Sequence, residues 1–178
     1  MRIISGKFRG KNLKTLEGLE TRPTTSRVKE SVFNIIQFDI QDANVLDLFS
    51  GTGQMGIECL SRGANLVDFV DNSQKAVNLI KENLKACEIN QKVNQTDYAT
   101  FLQSCNKKYN IIFLDPPYKT NLVNMSINFI NDFKLLEKYG IIVCETSIDE
   151  EIDITNTDFV VQKTYKYGTV KITLIKEK

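Results

Sequence analysis

The sequence predicts an α/β fold with a doubly wound, mostly parallel seven-stranded sheet that an antiparallel C-terminal hairpin closes. Short apolar runs alternate with amphipathic segments between residues 44 and 145, as in parallel strands joined by helices. Residues 159–176 instead alternate with a period of two around Lys166-Tyr167-Gly168, which indicates a hairpin. The chain has 178 residues, enough for a single domain (residues 1–178) with a sizeable core.

An N-terminal β-hairpin and a helix precede the sheet. We expect the hairpin strands at Arg2–Ser5 and Lys11–Leu16, before Pro23 ends the extended segment. A helix is predicted from Ser26 to Phe38 because apolar side chains recur there at helical spacing. These side chains are Val28, Val32, Ile35 and Ile36.

Strands and helices then alternate along the rest of the chain. We predict strands over 44–49, 65–70, 92–95, 109–114 and 140–145. The helices between them are predicted over 54–62, 73–87, 98–105 and 122–137. The antiparallel pair is expected over 159–165 and 169–176, at the end of a sheet whose two faces are covered by helices.

The most informative stretch is the end of the strand over 109–114. Its apolar run stops at Asp115-Pro116-Pro117-Tyr118, and the two prolines force the chain out of the sheet in a stiff loop. The carboxyl edge of a strand is where open α/β sheets bind ligands. Asp115 and the Pro116 carbonyl can accept two N–H bonds from a primary amine, while Tyr118 offers a face for stacking. We therefore predict that Asp115, Pro116, Pro117 and Tyr118 form a catalytic site for an amine on a flat ring, the alternative being a turn with a capping aspartate.

A glycine-rich turn follows the first strand of the sheet. Gly51, Gly53 and Gly56 have the spacing of a dinucleotide-binding turn, in which glycines let a ligand approach the backbone closely. Asp71 ends the next strand about 20 residues further on, where such motifs carry an acid for ribose hydroxyls. The pattern indicates an adenosine-containing cofactor. The alternative is a tight strand–helix turn that binds nothing.

Acidic residues at or after three successive predicted strands help to choose the cofactor. Asp47 lies inside the strand that feeds the turn, and an acid there suits an ammonium and a sulfonium better than two phosphates. Asp97 follows the strand over 92–95, where a carboxylate can bond an adenine amino group. With Asp71, this series favours S-adenosylmethionine over NAD. The predicted cofactor-binding residues are Asp47, Phe49, Ser50, Gly51, Thr52, Gly53, Asp71, Asn72, Asp97 and Tyr98.

Charge is distributed unevenly along the chain. Residues 1–30 carry eight Lys or Arg against three Glu, whereas the rest carries 15 basic and 19 acidic residues. A positive arm on a slightly acidic body is typical of a phosphate-facing surface, although ordinary solvated strand charge is an alternative. We accordingly divide the domain into a basic hairpin with a helix (1–40) and a cofactor-binding, catalytic sheet (41–178). The predicted nucleic-acid contacts are Arg2, Lys7, Arg9, Lys11, Arg22 and Arg27.

Composition excludes several classes of function. The chain has no histidine, which excludes His-based acid–base chemistry, Ser-His triads and nearly every zinc site, and we expect no bound metal. Its four cysteines are widely spaced, and three of them lie in apolar surroundings, as core thiols of a reducing compartment do. No run approaches the roughly 18 apolar residues of a membrane span, and no signal region opens the chain. We therefore expect a cytoplasmic protein without a membrane partner.

These motifs together resemble a known group of enzymes. Asp-Leu-Phe-Ser-Gly-Thr-Gly (residues 47–53), Asp71, Asp97 and Asp-Pro-Pro-Tyr (residues 115–118) look like a class I S-adenosylmethionine-dependent methyltransferase, with its Rossmann-like fold, acting on an exocyclic amine. In such an enzyme Asp47 would face the amino acid end of the cofactor, Asp71 the ribose hydroxyls and Asp97 the adenine.

Other segments narrow the resemblance to one family. Ile4–Lys11 and Thr21–Glu30 resemble the RsmD family of bacterial 16S ribosomal RNA guanine-N2 methyltransferases, and so does Tyr167-Gly168 in the final hairpin. The match covers essentially the whole chain. It departs from the family pattern at Ser26, where an aspartate is common, and at Asp71, where the family has glutamate.

The resemblance implies methylation of guanine N2 in small-subunit ribosomal RNA, presented with ribosomal proteins, and we expect a monomer. A guanine turned out of its stack would lie on Tyr118. The motif itself leaves an adenine N6 amine open, because both amines fit the same loop. A nicotinamide-dependent oxidoreductase shares the glycine turn but gives the diproline loop no role. A non-catalytic RNA-binding module explains the basic arm but not the cofactor acids.

Overall fold

The structure, a computed structural model, describes residues 1–15 and 23–178. The helices in these ranges are α1 (Pro23–Ile35), α2 (Gln54–Ser61), α3 (Gln74–Ala86), α4 (Tyr98–Ser104) and α5 (Leu122–Asp132). The strands are β1 (Asn44–Asp47), β2 (Leu66–Asp71), β3 (Val93–Gln95), β4 (Tyr109–Leu114), β5 (Leu136–Ser147), β6 (Phe159–Tyr167) and β7 (Val170–Glu177). The predictions for Leu16 and Arg22 lie outside the described residues.

The seven strands form one sheet in the order β3-β2-β1-β4-β5-β7-β6. Strands β1 to β5 pair in parallel, whereas β7 runs antiparallel to both β5 and β6. The predicted fold class is therefore confirmed. Between β1 and β4 the chain order reverses, and the carboxyl ends of these two strands diverge into the crevice where such sheets bind ligands.

Helices cover both faces of the sheet. Apolar side chains of α1, α2 and α3 pack on one face and those of α4 and α5 on the other. Strand β4 is buried on both faces, because Ile111 and Phe113 contact the first layer while Ile112 and Leu114 contact the second. In the described part of the chain, no helix combines the length and apolar character that crossing a membrane requires.

Helix α1 begins and ends three residues earlier than predicted. Pro23 is the first residue of the helix, which it can occupy because the N–H that proline lacks would have no partner in a first helical turn anyway. The helix ends at Ile35 rather than Phe38.

The predicted end of α5 and start of β5 were also wrong. Helix α5 stops at Asp132 instead of residue 137 because Lys134 adopts a left-handed φ of 51°. The Leu135 N–H then donates to the Ile130 carbonyl and the Lys134 N–H to the Asn131 carbonyl, which satisfies the carbonyls at the helix end. Strand β5 can therefore start at Leu136 instead of residue 140.

Both hairpins differ in detail from the prediction. The C-terminal turn is at residues 168–169, because Tyr167 still pairs with Val170. The described part of the N-terminal hairpin contains a single antiparallel bridge, Arg2 to Asn12, instead of two full strands. Ile3 and Leu13 are buried beside that bridge. The remaining boundaries agree with the prediction to within two residues.

Candidate functional site

A cleft of about 690 Å³ opens at the carboxyl edge of the sheet, beside the point where the strand order reverses. The glycine-rich turn forms one side of it and the Asp115–Tyr118 corner forms the other. The structure thus brings the two predicted motifs together in one cavity. The cleft is lined by Leu48, Phe49, Gly51, Asp71, Asn72, Thr96, Asp97, Tyr98, Asp115, Pro116, Pro117, Tyr118, Leu122 and Glu145.

Asp71 holds the glycine-rich turn in place. Its two carboxylate oxygens accept the N–H of Gly51 (2.9 Å) and the N–H of Ser73 (2.8 Å). Gly51 has a φ of +54°, and a Cβ atom there would meet nothing within 4 Å. The turn therefore presents bare backbone and open space to the cleft, with one carboxylate at its rim.

The side chains of four predicted cofactor ligands do not line the cleft: Asp47, Ser50, Thr52 and Gly53, the last having none. Asp47 is 4 % exposed and accepts the N–H of Gly56 at 3.0 Å, at the start of α2. Ser50 Oγ donates to the Asp47 carbonyl at 2.6 Å and accepts the Val70 N–H at 3.0 Å. These groups fix the shape of the turn from behind.

Asp47 is the acidic residue among these four residues behind the turn. Burial raises its pKa to about 7, and the negative charge of Asp71 acts in the same direction, while the hydrogen bond from Gly56 opposes both. An ionised carboxylate at this position is therefore costly at neutral pH unless a positive group comes near it.

Replacing Asp47 with asparagine should stabilise the unliganded protein above neutral pH. The folded pKa of about 7 lies above the unfolded value of about 4, so stability is fully present below pH 4 and falls as the pH rises to 7. The fall is at most about 4 kcal/mol, and the amide oxygen of the introduced side chain can still accept the Gly56 N–H. Thermal unfolding should show a gain for Asp47→Asn at pH 8 and almost none at pH 4. Equal gains in thermal stability at pH 4 and pH 8 would contradict the raised pKa of Asp47.

Asp97 and a group of aromatic rings form the far end of the cleft. Asp97 caps α4, because its oxygens accept the Thr100 N–H (2.9 Å) and the Thr100 hydroxyl (2.6 Å). These hydrogen bonds lower its pKa. The Tyr98 ring lies 5.9 Å from that of Phe49 and 6.1 Å from that of Phe129, centroid to centroid. A carboxylate beside aromatic faces suits a flat heterocycle with an amino group.

Strand register places Asp115 beside a second acid. Phe113 and Leu114 of β4 pair with Val143 and Cys144 of β5, so the next residues, Asp115 and Glu145, follow side by side on one face. Asp115 is an exposed residue of the cleft lining, although neighbouring protein crowds its carboxylate. The partial loss of water around the carboxylate raises the pKa of Asp115, and the charges of Glu145 and Asp47 raise it further.

Hydrogen bonds hold the diproline corner open. Tyr118 is 44 % exposed, and its hydroxyl donates to Glu145 Oε1 at 2.9 Å. Thr120 Oγ1 donates to the Pro117 carbonyl at 2.6 Å. Within the described ranges no hydrogen bond uses the Pro116 carbonyl, which is therefore an acceptor for a ligand. Sequence reasoning missed Glu145, although this acid ends the strand predicted over 140–145, as Asp71 ends β2.

The basic arm packs on helix α2. The glycine-rich turn precedes the amino end of the same helix. Arg2, Lys7, Arg9 and Lys11 are exposed, as is Arg27 on α1. The Nζ atoms of Lys7 and Lys11 lie 5.4 and 5.7 Å from the centre of the Phe8 ring. The Lys7 N–H donates to the Ser61 carbonyl at 2.7 Å, and a Cβ atom on Gly6 would overlap that carbonyl.

Glu58 fastens the arm and α1 to helix α2, a role that sequence reasoning missed. It is fully buried and accepts the N–H groups of Ile4 (2.8 Å) and Ser5 (3.0 Å). It also pairs with Arg62 Nε at 2.8 Å and Lys29 Nζ at 3.3 Å. A single buried carboxylate thus joins three segments of the chain.

Comparisons with known proteins show which chains this protein is similar to. A family model described as "Conserved hypothetical protein 95" matches residues 1–176. The chain is 38 % identical to the "Putative rRNA methyltransferase YlbH" of Bacillus subtilis over 100 % of both chains. It is 32 % identical to the "Ribosomal RNA small subunit methyltransferase D" of Haemophilus influenzae, over 98 % of this chain and 92 % of the relative. A solved structure, "Putative methyltransferase yhhF from Escherichia coli", superposes with a TM-score of 0.90 at 30 % identity, covering 100 % of this chain and 98 % of the other.

Proposed function

The chain belongs to the family described as "Conserved hypothetical protein 95", and on that premise we propose that it methylates the N2 amine of a guanine in small-subunit ribosomal RNA. It is an S-adenosylmethionine-dependent RNA methyltransferase of the RsmD type. The observation that carries the proposal is the shared cleft, in which the Gly51 turn faces the Asp115–Tyr118 corner. We propose the residues of both motifs as the site.

The residues of the turn fit S-adenosylmethionine. The open space over Gly51 admits a ligand close to the backbone, and the Asp71 carboxylate at the rim can accept ribose hydroxyls. Phe49, Tyr98 and Asp97 offer aromatic faces and a carboxylate for the adenine. When bound, this cofactor supplies an electrophilic methyl group on a sulfonium.

The diproline corner prepares the amine. The N2 lone pair of guanine is normally delocalised into the ring. Asp115 and the Pro116 carbonyl accept its two N–H groups, and this fixes the direction of the lone pair. The Asp115 carboxylate also stabilises the positive charge that develops on the nitrogen. Tyr118 provides the face on which a base turned out of its RNA stack can lie.

The basic arm is proposed to bind the RNA backbone. We expect Arg9→Gln to reduce the slope of log affinity against log salt by about 1, the value for one lost phosphate contact. Lys138→Gln is the matched control, since Lys138 is an exposed cation near the start of β5 and outside both the arm and the cleft lining. Filter binding of small-subunit RNA at several salt concentrations measures both slopes. An unchanged slope for Arg9→Gln would remove the arm from the RNA surface.

Transfer of a labelled methyl group from S-adenosylmethionine to small ribosomal subunits tests the proposed activity. The subunits come from cells that lack the enzyme, and the label should appear in the RNA. S-adenosylhomocysteine should raise the melting temperature, whereas NADH should not. Stabilisation by NADH, or binding of RNA without any label transfer, would contradict the proposal.

A further inference from the structure

We infer that Glu145 reads the edge of the target base and selects guanine over adenine, by accepting the guanine N1–H next to the amine that Asp115 holds. This inference rests on the proposed function and names the residue that sets its base specificity. The evidence is the position of Glu145, its fixed geometry and the donor pattern of the two purines.

Glu145 lies where a base held by Asp115 would present its neighbouring atoms. Asp115 comes directly after β4, Glu145 lies in the adjacent parallel strand β5 one position beyond the last residue pair, and such strands are about 4.8 Å apart. Both line the cofactor cleft. Both also line a narrow slot on the other side, under Lys29 and Val32 of α1 and Met55 of α2. A base that reaches Asp115 from the cofactor cleft therefore meets Glu145 as well.

The Glu145 carboxylate is held in one orientation and keeps an oxygen for a ligand. Its Oε1 accepts the Tyr118 hydroxyl at 2.9 Å. Over residues 1–15 and 23–178, no hydrogen bond uses Oε2 and no cation pairs with Glu145. Half-burial raises the pKa of Glu145, and the Tyr118 hydroxyl opposes this rise. Two adjacent carboxylates without a cation are costly, and a ligand with several N–H donors offsets that cost.

Guanine and adenine differ at this position. Guanine presents N1–H directly beside its N2 amine, so that two acids meet a row of donors. The N6 amine of adenine lies beside N1, which carries a lone pair and would repel an ionised carboxylate. A well-placed pair of hydrogen bonds to a base edge discriminates by about 10- to 100-fold. The acid pair therefore favours guanine.

The test uses 2-aminopurine, which keeps the N2 amine of guanine but carries a lone pair at N1. Small subunits are reconstituted with either base at the methylated position, and kcat/KM is measured for each. We expect wild-type enzyme to prefer guanine by at least about 10-fold. In Glu145→Gln the amide N–H can donate to N1 of 2-aminopurine. The ratio of kcat/KM for guanine to kcat/KM for 2-aminopurine should therefore fall to nearly one. Glu150→Gln is the matched control, because Glu150 binds the Ser147 and Lys119 N–H groups outside the cleft lining and should keep the wild-type ratio.

The outcomes separate this inference from the proposed function. If wild-type enzyme methylates no guanine amine, the proposed function itself fails. If it does, and Glu145→Gln slows both substrates equally, the inference is overturned while the function stands. An unchanged melting-temperature rise with S-adenosylhomocysteine shows that the variant is folded. Should Glu145→Gln not fold, the same measurement is made with Tyr118→Phe, which removes the hydroxyl that orients Glu145. A smaller ratio of kcat/KM for guanine to kcat/KM for 2-aminopurine supports the inference. An unchanged ratio overturns it.

Discussion

Replacing Asp115 with asparagine should lower turnover about 100-fold or more, the scale of losing one group that stabilises the transition state. Affinity for the cofactor should change little, because the turn that binds it is held by Asp71 from another strand. The substitution removes the charge but keeps the shape of the side chain. Single-turnover methylation of small subunits measures the rate, and calorimetry with S-adenosylhomocysteine measures cofactor binding.

The folded state of Asp115→Asn should be at least as stable as the wild type at pH 8. The pKa of Asp115 is raised by burial and by Glu145, so the wild type loses stability as the pH rises past the ordinary carboxyl range and the variant does not. A slow variant therefore cannot be attributed to unfolding. Asp149→Asn, on the exposed turn after β5, is the matched control and should keep full activity. A loss of cofactor affinity as large as the loss of rate would contradict the role given to Asp115.

Among the predicted substitutions, Glu58→Gln should lower the free energy of unfolding the most. The carboxylate is fully buried and serves two backbone N–H groups, Arg62 and Lys29. Glutamine has one acceptor oxygen and leaves both cations without an anion, which costs about 3–5 kcal/mol. For a chain of this size that corresponds to a fall in melting temperature of about 10 °C.

Urea unfolding and trypsin digestion measure this effect. The urea midpoint of Glu58→Gln should fall below that of the wild type. Trypsin should cut the bonds after Lys7 and Arg9 sooner, because Glu58 holds the arm in place. Glu82→Gln is the matched control: it breaks an exposed pair with Lys14, with side chains 56 % and 72 % exposed, and should cost less than about 1 kcal/mol. Equal midpoints for the two variants would show that Glu58 does not join the segments as described.

The motifs of the cleft were predictable because each is local in the sequence. A short apolar strand followed by glycines or by two prolines fixes where the chain leaves the sheet, as at Gly51 and Pro116. Glu145 ends the strand predicted over 140–145, but its role depends on the β4–β5 register, which the sequence does not reveal. Glu58 looks like a solvated helix residue until the arm and α1 lie over it.

The predicted cofactor-binding residues from Asp47 to Gly53 divide into two groups in the structure. Phe49 and Gly51 line the cleft, while the side chains of Asp47 and Ser50 hold the turn from behind. A motif read as a string of ligands does not show which members face the ligand. That distinction comes from packing.

Nucleoside mass spectrometry of the modified RNA tests most directly whether the diproline corner holds a guanine N2 amine within reach of the methyl donor. Small subunits from cells that lack the enzyme are incubated with S-adenosylmethionine and either wild-type protein or Asp115→Asn, and their RNA is digested to nucleosides. We expect N2-methylguanosine with the wild type and almost none with the variant. N6-methyladenosine in its place, or equal N2-methylguanosine from both proteins, would contradict the assignment.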